Sequence, residues 1–502
     1  MQIIVQAGGK GTRLGDLTVN RPKCLVPVHN TPMIFHLFKK FQDAEFVIIG
    51  DYKYEVLKKY LKNFAKNINY RLIKSTGTGN VCGIKKALKY IRDNEKLMII
   101  WSDLILSEEF KPELLPSGNY VGVFDDKSCH PCSWSFVNRK LEKISTDKQG
   151  VAGCFLFENK ALLKDITTKG SFTGWLKNSN LDLKPMIMKS CFEVGTIDVI
   201  NSLKDTENRC RLYNKLEFSD KKVVKTGLTE EGKVLINKEV EWYKSMTKYG
   251  FDSIPKIYSY NPLTMQRIKG ENIFLTNSTT KRKEIIMDNL LNAINKMHSY
   301  ENFKADKKDI IKEYYSKTIS RINTIKNVIP FANRDYIKIN GENCKNPLFF
   351  KKNYKKYVEN NLIDTIFCPI HGDCTLTNTL VDEKNNIYFI DARGYFGSKS
   401  VIGDIRYDWA KLYYSIIGNF DKFNIKDFSL KTSESEINYK ISSNDWESLY
   451  NKLISNIKPA EIENIKFIHA VIWLSLASHC REDYDSMCLA FYNGVYLINE
   501  FL

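Results

Sequence analysis

Two stretches of this sequence carry residues whose types and spacing suit phosphate chemistry. The first is AGGKGTRL, Ala7 to Leu14, which follows a short apolar run. Its glycines Gly8, Gly9 and Gly11 would let backbone N–H groups converge on a phosphate chain that side chains would otherwise obstruct. Arg13 adds a planar guanidinium fork, and Lys23 in the RPK tripeptide adds a mobile point charge. Together they suit a triphosphate. Joining a second phosphate to it brings several negative charges together, so a divalent cation held by carboxylates is expected, and Mg²⁺ is the natural candidate. Asp103 in WSDLIL is placed for this, because it ends an apolar strand-like run, where α/β proteins bind their ligands.

The second stretch is HGDCTLTN, His371 to Asn378. It sets a carboxylate and an amide five residues apart, and IYFID supplies another acid, Asp391, thirteen residues after the amide. Phosphoryl transfer to a hydroxyl needs a base or orienting group, here Asp373, and groups that hold Mg²⁺ on the donor phosphates, here Asn378 and Asp391. Upstream, Lys225 closes the strand-like KVVK. The following helix-period segment offers Glu239, with Glu241 as the alternative, to pair with a lysine on ATP phosphates. His371 reads as a residue that positions the loop.

The first constellation resembles the GGxGTRL…RPK signature of nucleotidyltransferases that couple nucleoside triphosphates to sugar 1-phosphates, some of whose relatives use choline phosphate. The resemblance spans about the first 200 residues. It implies that Gly8, Gly9, Gly11 and Thr12 hold the nucleotide, with CTP or GTP expected, and that Arg13 and Lys23 neutralise the α-phosphate and the departing pyrophosphate. It further implies that Thr78, Gly79 and Asn80 in STGTGN line the base and sugar pocket, and that Asp103 is the central metal-binding acid. Glu193 precedes Val-Gly-Thr where relatives carry an acid before Ile-Gly-Thr, which nominates it as the second metal ligand, with Asp198 as the fallback. The HGDxxxxN…ID pattern resembles aminoglycoside phosphotransferases and choline or ethanolamine kinases. GDIRYDWAKL, Gly403 to Leu412, is similar to that family's GDPxxDLA segment and implies structural roles for Asp404 and Asp408. Met265 to Gly270 resembles the adenine-contacting hinge. The family's glycine-rich nucleotide loop has no counterpart before Lys225, where the chain reads LYNKLEFSD.

These groups need rigid elements to hold them. Up to about Val199, strand-like runs (MQIIVQ, FVIIGD, KLMIIWSD) alternate with amphipathic ones (MIFHLFKKF, YEVLKKYLKNF), the pattern of an α/β sheet flanked by helices. A polar stretch, NSLKDTENRCRLY, marks a boundary. The expected organisation is an N-terminal mixed, mainly parallel Rossmann-like nucleotidyltransferase domain over 1–205. A bilobal protein-kinase-like α+β domain with a helical C-lobe follows over 206–502. In this second domain one hairpin, TLVDEKNNIYFID, is expected to interrupt a run of helices.

Composition narrows the function classes. The net charge of +17 comes from lysines spread along the chain, which reads as a solvated surface rather than a nucleic-acid stripe, so no nucleic-acid partner is expected. The absence of a leader pattern before Ile3 and of a membrane-length apolar run leads to the expectation of a cytoplasmic enzyme without membrane insertion. Twelve cysteines read as reduced thiols; the close pair Cys129 and Cys132 lacks a second half for a zinc site. Trp134 and Trp175 read either as an acceptor cage for a quaternary amine or as core.

The combined expectation is a bifunctional enzyme that phosphorylates a small hydroxylated acceptor with ATP. It then transfers a nucleotidyl group to a sugar, polyol or amino-alcohol phosphate for surface-glycan or capsule precursors. The alternatives are a transferase with a regulatory or substrate-binding pseudokinase half, a CDP-choline-type pathway enzyme, and a nucleic-acid-binding protein.

Overall fold

The structure is a computed structural model that describes residues 1–75, 77–124, 132–144, 149–203 and 214–502. The chain divides into two compact units, Met1–Asp205 with Glu482–Asp485, and Thr206–Arg481 with Ser486–Leu502.

The first unit is built on a seven-stranded sheet. Its strands are β1 (Gln2–Gln6), β2 (Glu45–Gly50), β3 (Tyr70–Lys74), β4 (Leu97–Trp101), β5 (Asn119–Phe124), β6 (Val151–Phe157) and β7 (Leu183–Met188), in spatial order β7-β5-β6-β4-β1-β2-β3. β1 lies between β4 and β2 in parallel register, and β6 runs antiparallel to both β4 and β5, so the sheet is mixed but mainly parallel. Continuous burial of Ile3, Ile4 and Val5, and of Leu97 to Ile100, is what a strand covered on both faces requires. Helices α1 (Met33–Lys40), α2 (Tyr54–Phe64), α3 (Asn80–Ala87) and α4 (Phe172–Lys177) flank it. α1 buries Met33, Ile34, Leu37 and Phe38, one stripe at helical spacing. A smaller apolar cluster of Leu14, Val26, Val28, Met33, Ile105 and Val194 ties the glycine loop to the segments bearing Asp103 and Glu193. Leu14 is fully buried there, an anchor of about 1.5–3 kcal/mol for a loop otherwise short of apolar contacts. Trp134 and Trp175 pack against the main core as partly buried residues, and Trp175 stacks on Phe172 at 5.9 Å.

The second unit begins with a four-stranded antiparallel sheet of β8 (Asn214–Phe218), β9 (Lys222–Gly227), β10 (Ile257–Tyr260) and β11 (Leu263–Gln266), ordered β8-β9-β11-β10. It is backed by α5 (Glu230–Lys248), which buries Glu239, Trp242, Tyr243 and Met246. Ser219 to Lys221 turn β8 into β9, in place of a glycine-rich loop. Most of the remainder is helical: α6 (Thr280–His298), α7 (Lys317–Ile325), α8 (Lys351–Asn361), α9 (Ile405–Ile416) and α10 (Ile462–Ala477), with α9 and α7 both packed on α10.

The expectation of a single hairpin in this region is corrected. Besides Thr379–Asp382 with Ile387–Phe389, there is a hairpin of Tyr336–Ile339 with Glu342–Lys345 and another of Phe428–Thr432 with Ile437–Ile441, and the two share one sheet. The first turns at Asn340-Gly341, both at positive φ, within YIKINGENCK. Asn-Gly between alternating residues is the strongest short hairpin signal a sequence offers. Cys24, Cys82, Cys154, Cys344, Cys368 and Cys374 are free thiols, and Cys129 lies outside the described residues. No helix among the described residues is long and apolar enough to cross a membrane.

Candidate active sites

In the first unit, β1 and β4 are neighbours, and their carboxyl ends bring the glycine loop and Asp103 together. Gly11 sits at φ 67, a left-handed conformation open to glycine, and turns the chain into the short helical segment Thr12–Thr18. A Cβ on Gly8 would lie 2.9 Å from that of Asp51, whereas one on Gly9 would meet nothing within 4 Å. Gly9 therefore faces open space. Among the described residues, the amides of Gly8, Gly9, Lys10 and Gly11 donate to no protein acceptor, which leaves a run of backbone donors for an anion.

Lys23 donates to the Asp103 carboxylate, and both side chains are about nine-tenths buried, 11% and 10% exposed. A two-residue antiparallel pairing sets Glu193 against Leu104, and the Val194 amide donates to the Asp103 carbonyl at 2.8 Å. Glu193 is thereby held beside Asp103. Burial, and then the Asp103 carboxylate, raise the Glu193 carboxyl above its ordinary value, while Lys23 and Arg13 pull it back. The Arg13 guanidinium stands 3.8 Å from Glu193 and is two-thirds exposed, 66%. Arg13, Lys23, Asp103 and Glu193 thus form one charged cluster at the mouth of the glycine loop. Asp198, the fallback acid, is exposed on the short helix Ile197–Ser202. Asp103 and Glu193 fit a magnesium ion, since two facing carboxylates repel each other until a cation enters, and Mg²⁺ needs only one or two protein carboxylates beside substrate phosphates.

In the STGTGN segment, Gly79 and Asn80 make structural contacts. The Asn80 side-chain oxygen accepts from the Phe172 amide at 2.7 Å, the Asn80 carbonyl accepts from Gln6 Nε2 at 2.8 Å, and Gly79 lies against Gly170. These contacts fix α3 to the start of α4. Thr78 is exposed.

In the second unit, Lys225 of β9 is 8% exposed and donates to Glu239 at 2.7 Å and to Asp391 at 2.5 Å. Glu241 instead pairs with Lys244 on the exposed side of α5. Burial would lower Lys225, but Asp391 and Glu239 override it and raise the ammonium above its ordinary value. Burial lifts the Glu239 carboxyl to about 7 against the pull of Lys225. Asp391 is depressed by Lys225 despite its surroundings and adopts φ 58, an uncommon conformation for a residue with a side chain.

The HGDCTLTN loop is pinned from below. Asp408, fully buried, accepts from the amides of His371 at 2.8 Å and Gly372 at 2.7 Å. His371 Nδ1 accepts from the Asp373 amide, so its Nε2 carries the proton and donates to the Ile390 carbonyl at 3.1 Å. Burial lowers its pKa and keeps the ring neutral, a positioning role rather than a proton-transferring one. Asp404 is also fully buried, caps α9 and pairs with Arg406 at 2.8 Å. The Asp373 carboxylate is bracketed by Asn378 Nδ2 at 2.9 Å and Lys411 Nζ at 2.8 Å. Asn378 Oδ1 accepts no hydrogen bond among the described residues, which leaves a neutral oxygen for a hard cation. Lys225, Glu239, Asp373, Asn378 and Asp391 are therefore brought into one site.

Three contributors lay outside the sequence reading. Lys411 falls within GDIRYDWAKL, three residues past Asp408, but its reach to Asp373 depends on the helix turning it inward. Asp421 accepts from Thr377 and Ser415 beneath the loop and is lifted to about 6 by burial. Arg393 lies over Gly372, whose Cβ would fall 3.0 Å from that of Arg393.

The first unit is a nucleotidyltransferase domain. Residues 2–115 match the Nucleotidyl transferase family. The chain is 27% identical over 216 residues to the CTP:phosphoglutamine cytidylyltransferase of Campylobacter jejuni, covering 41% of this chain and 84% of that protein. It is 36% identical over 99 residues to the D-glycero-alpha-D-manno-heptose 1-phosphate guanylyltransferase of the same organism, covering 18% of this chain and 44%, less than half, of that one. Among solved structures, it is similar to the inositol-1-phosphate CTP transferase from T. maritima at 17% identity and a TM-score of 0.34, over 41% of this chain and 96% of that one.

Proposed function

We propose that the chain is a bifunctional enzyme whose second unit phosphorylates a small hydroxylated acceptor with ATP and whose first unit couples a phosphomonoester to CTP or GTP. The observation that supports this most directly is that each unit gathers its own complete set of phosphate-handling groups: Arg13, Lys23, Asp103 and Glu193 at a glycine loop, and Lys225, Glu239, Asp373, Asn378 and Asp391 at a second cleft. The names of the relatives, one a cytidylyltransferase and one a guanylyltransferase, leave CTP and GTP as the two candidate donors.

In the first unit, a phosphate oxygen of the acceptor attacks the α-phosphorus, a new P–O bond forms, and the bond to the β-phosphate oxygen breaks to release pyrophosphate. The free amides of Gly8 to Gly11 hold the triphosphate. Arg13 and Lys23 meet the charge that grows on the leaving pyrophosphate. Asp103 and Glu193 would hold Mg²⁺, which when bound supplies charge neutralisation at the phosphates. Thr12, Thr78, Gly79 and Asn80 complete the nucleotide pocket, the last two by holding its wall.

In the second unit, Asp373 receives the acceptor hydroxyl proton as the oxygen attacks the γ-phosphorus and ADP departs. Lys225, oriented by Glu239, contacts the donor phosphates, and Asn378 and Asp391 would hold Mg²⁺ there. The kinase-like bilobal fold belongs to this same reading. Its product is a phosphomonoester, the class of substrate that the first unit consumes, which makes the two activities consecutive steps toward nucleotide-activated precursors of surface glycans.

The test is ³¹P NMR of the full chain with ATP, CTP or GTP and Mg²⁺ over a panel of hydroxylated acceptors, repeated with Asp103→Asn and Asp373→Asn. The expected result is that Asp373→Asn stops ADP formation yet still releases pyrophosphate from a supplied phosphomonoester, whereas Asp103→Asn stops pyrophosphate release and spares ADP formation. Loss of one and the same partial reaction in both variants would sink the two-site assignment.

A further inference from the structure

Beside Asp373 the second unit carries more positive charge than its own carboxylates can pair. A π-helical turn, Lys312–Ser316, leads into α7 and sets Glu313, Lys317 and Arg321 four residues apart along one helix face. Glu313 accepts from Arg393 at 2.7 Å, from Lys317 at 2.6 Å and from the Gly397 amide at 3.2 Å. Three donors already share its two oxygens. The Arg321 guanidinium, only partly exposed, makes no hydrogen bond or ion pair among the described residues, although it lies close enough to Arg393 for the two charges to oppose each other.

The cluster is continuous with the transfer site. Arg393 packs over Gly372, next to Asp373, and Lys411 bridges from Asp373 toward the Tyr407 ring at 6.0 Å. The aromatic faces that a quaternary amine would need are already taken by the protein's own cations. Arg393 lies 4.2 Å from the centroid of Tyr395 and 5.2 Å from that of Tyr407, and Lys238 lies 3.7 Å from Tyr395. A cationic acceptor would meet repulsion here from the cations already lying over these rings.

We infer that the acceptor bound beside Asp373 is a hydroxylated anion, with a carboxylate or phosphate held by Arg321, Lys317 and Arg393 while its hydroxyl faces Asp373. This rests on the reading of the second unit as a phosphotransferase and names its substrate class. The transferred γ-phosphoryl leaves the bridging oxygen of ATP, which departs with the bonding electrons as ADP. The acceptor oxygen forms the new P–O bond, and its proton passes to Asp373. The low pKa of Lys317, brought to about 7 by burial and by Arg393 and Arg321, agrees with a pocket waiting for negative charge.

The test is calorimetric titration of the full chain, loaded with Mg²⁺ and AMPPNP, using matched probes: glycerol, D-glycerate and sn-glycerol 3-phosphate, then D-glucitol, D-gluconate and D-glucitol 6-phosphate, with choline and ethanolamine alongside. ADP formation from ATP is followed in parallel. The carboxylate or the phosphate member of a set is expected to bind at least about tenfold tighter than the neutral one, the contribution of one charge-assisted hydrogen bond. The better of the two anions identifies the group. Arg321→Gln is expected to erase that preference and Arg321→Lys to retain part of it; Arg321 has no hydrogen bond or ion pair to lose among the described residues, and both variants are expected to keep the fold, which their unfolding temperatures check. No anion binding, equal or tighter binding of the neutral or cationic probes, or a preference that survives Arg321→Gln would each overturn the inference. Anion binding that depends on Arg321 without any ADP formation would uphold the pocket and refute the phosphotransferase reading instead. ADP formed from choline with no anion preference would do the reverse.

Discussion

Lys23→Met is the most revealing single change in the first unit, because Lys23 is the buried cation against Asp103 and Glu193 stands beside the same carboxylate. Without the ammonium, two facing carboxylates retain only Arg13, which is 66% exposed and 3.8 Å from Glu193. Removing one partner of a buried ion pair costs about 3–5 kcal/mol, and the partial help from Arg13 places this case near the lower end, about 3 kcal/mol. For a unit of this size, that lowers its unfolding transition by about 6–12 °C. The pH dependence separates charge from packing. Glu193 is an acid whose folded-state pKa is raised, so its contribution to stability is fully present below its unfolded value and is lost as pH rises through the folded value. Loss of Lys23 pushes that folded value further up. The deficit relative to the wild type should therefore be smaller at a pH near the ordinary carboxylate range than at a pH well above it. Mg²⁺ should return part of the loss at the higher pH, up to about 2.7 kcal/mol at a hundredfold excess over its Kd, and should stabilise the variant more than the wild type. Scanning calorimetry of the full chain at both pH values, with and without Mg²⁺, reads all three effects. A shift of equal size at both pH values, indifferent to Mg²⁺, would refute the reasoning and make Lys23 a packing residue.

Gly9→Ala should leave the unfolding temperature within a degree or so of wild type, because its Cβ meets nothing within 4 Å, yet raise KM for the nucleoside triphosphate by about tenfold by blocking the approach of phosphate to the loop amides; steady-state kinetics with CTP and GTP checks this. Asp373→Asn should reduce ADP formation by about 10²–10⁴-fold while nucleotidyl transfer to a supplied phosphomonoester continues. Anion binding beside Asp373 should weaken about fivefold from about pH 7 to about pH 8, because Lys317, held at about 7 among Arg393, Arg321 and Glu313, must take up a proton to receive the anion. In titrations, the slope should vanish in Lys317→Met and be absent for neutral probes.

Much of this was legible in the sequence where chemistry is written locally. The glycine loop, Arg13 and Lys23 lie within one window, and Asp373 and Asn378 share one loop, so type and spacing alone mark them. Asp391 follows at a fixed short distance across a hairpin. The alternation of apolar runs was equally plain, since a parallel strand buried on both faces leaves a continuous hydrophobic word such as LMII. What the sequence hid are groups that meet through tertiary structure. Glu193 was nominated by resemblance, but the two-residue strand pairing that brings it beside Asp103 is too short to leave a pattern. Arg321 and Lys317 come from a helix that reads as an ordinary amphipathic element, and only the fold shows that the Glu313 carboxylate, bonded by Lys317, is also engaged by Arg393. The Tyr336–Lys345 hairpin is a different case, for its Asn-Gly turn was in plain view amid helix-period surroundings.

On the proposed reading, one chain carries out two successive phosphate transfers. That reading is tested most directly by a single ³¹P NMR time course of the full chain with ATP, CTP or GTP, Mg²⁺ and an unphosphorylated hydroxy acid. The account predicts ADP and a phosphomonoester first, then pyrophosphate and a new pair of coupled pyrophosphate-diester resonances as the phosphomonoester is consumed. Pyrophosphate and diester appearing only when a phosphomonoester is supplied, with ATP untouched across the acceptor panel, would contradict it.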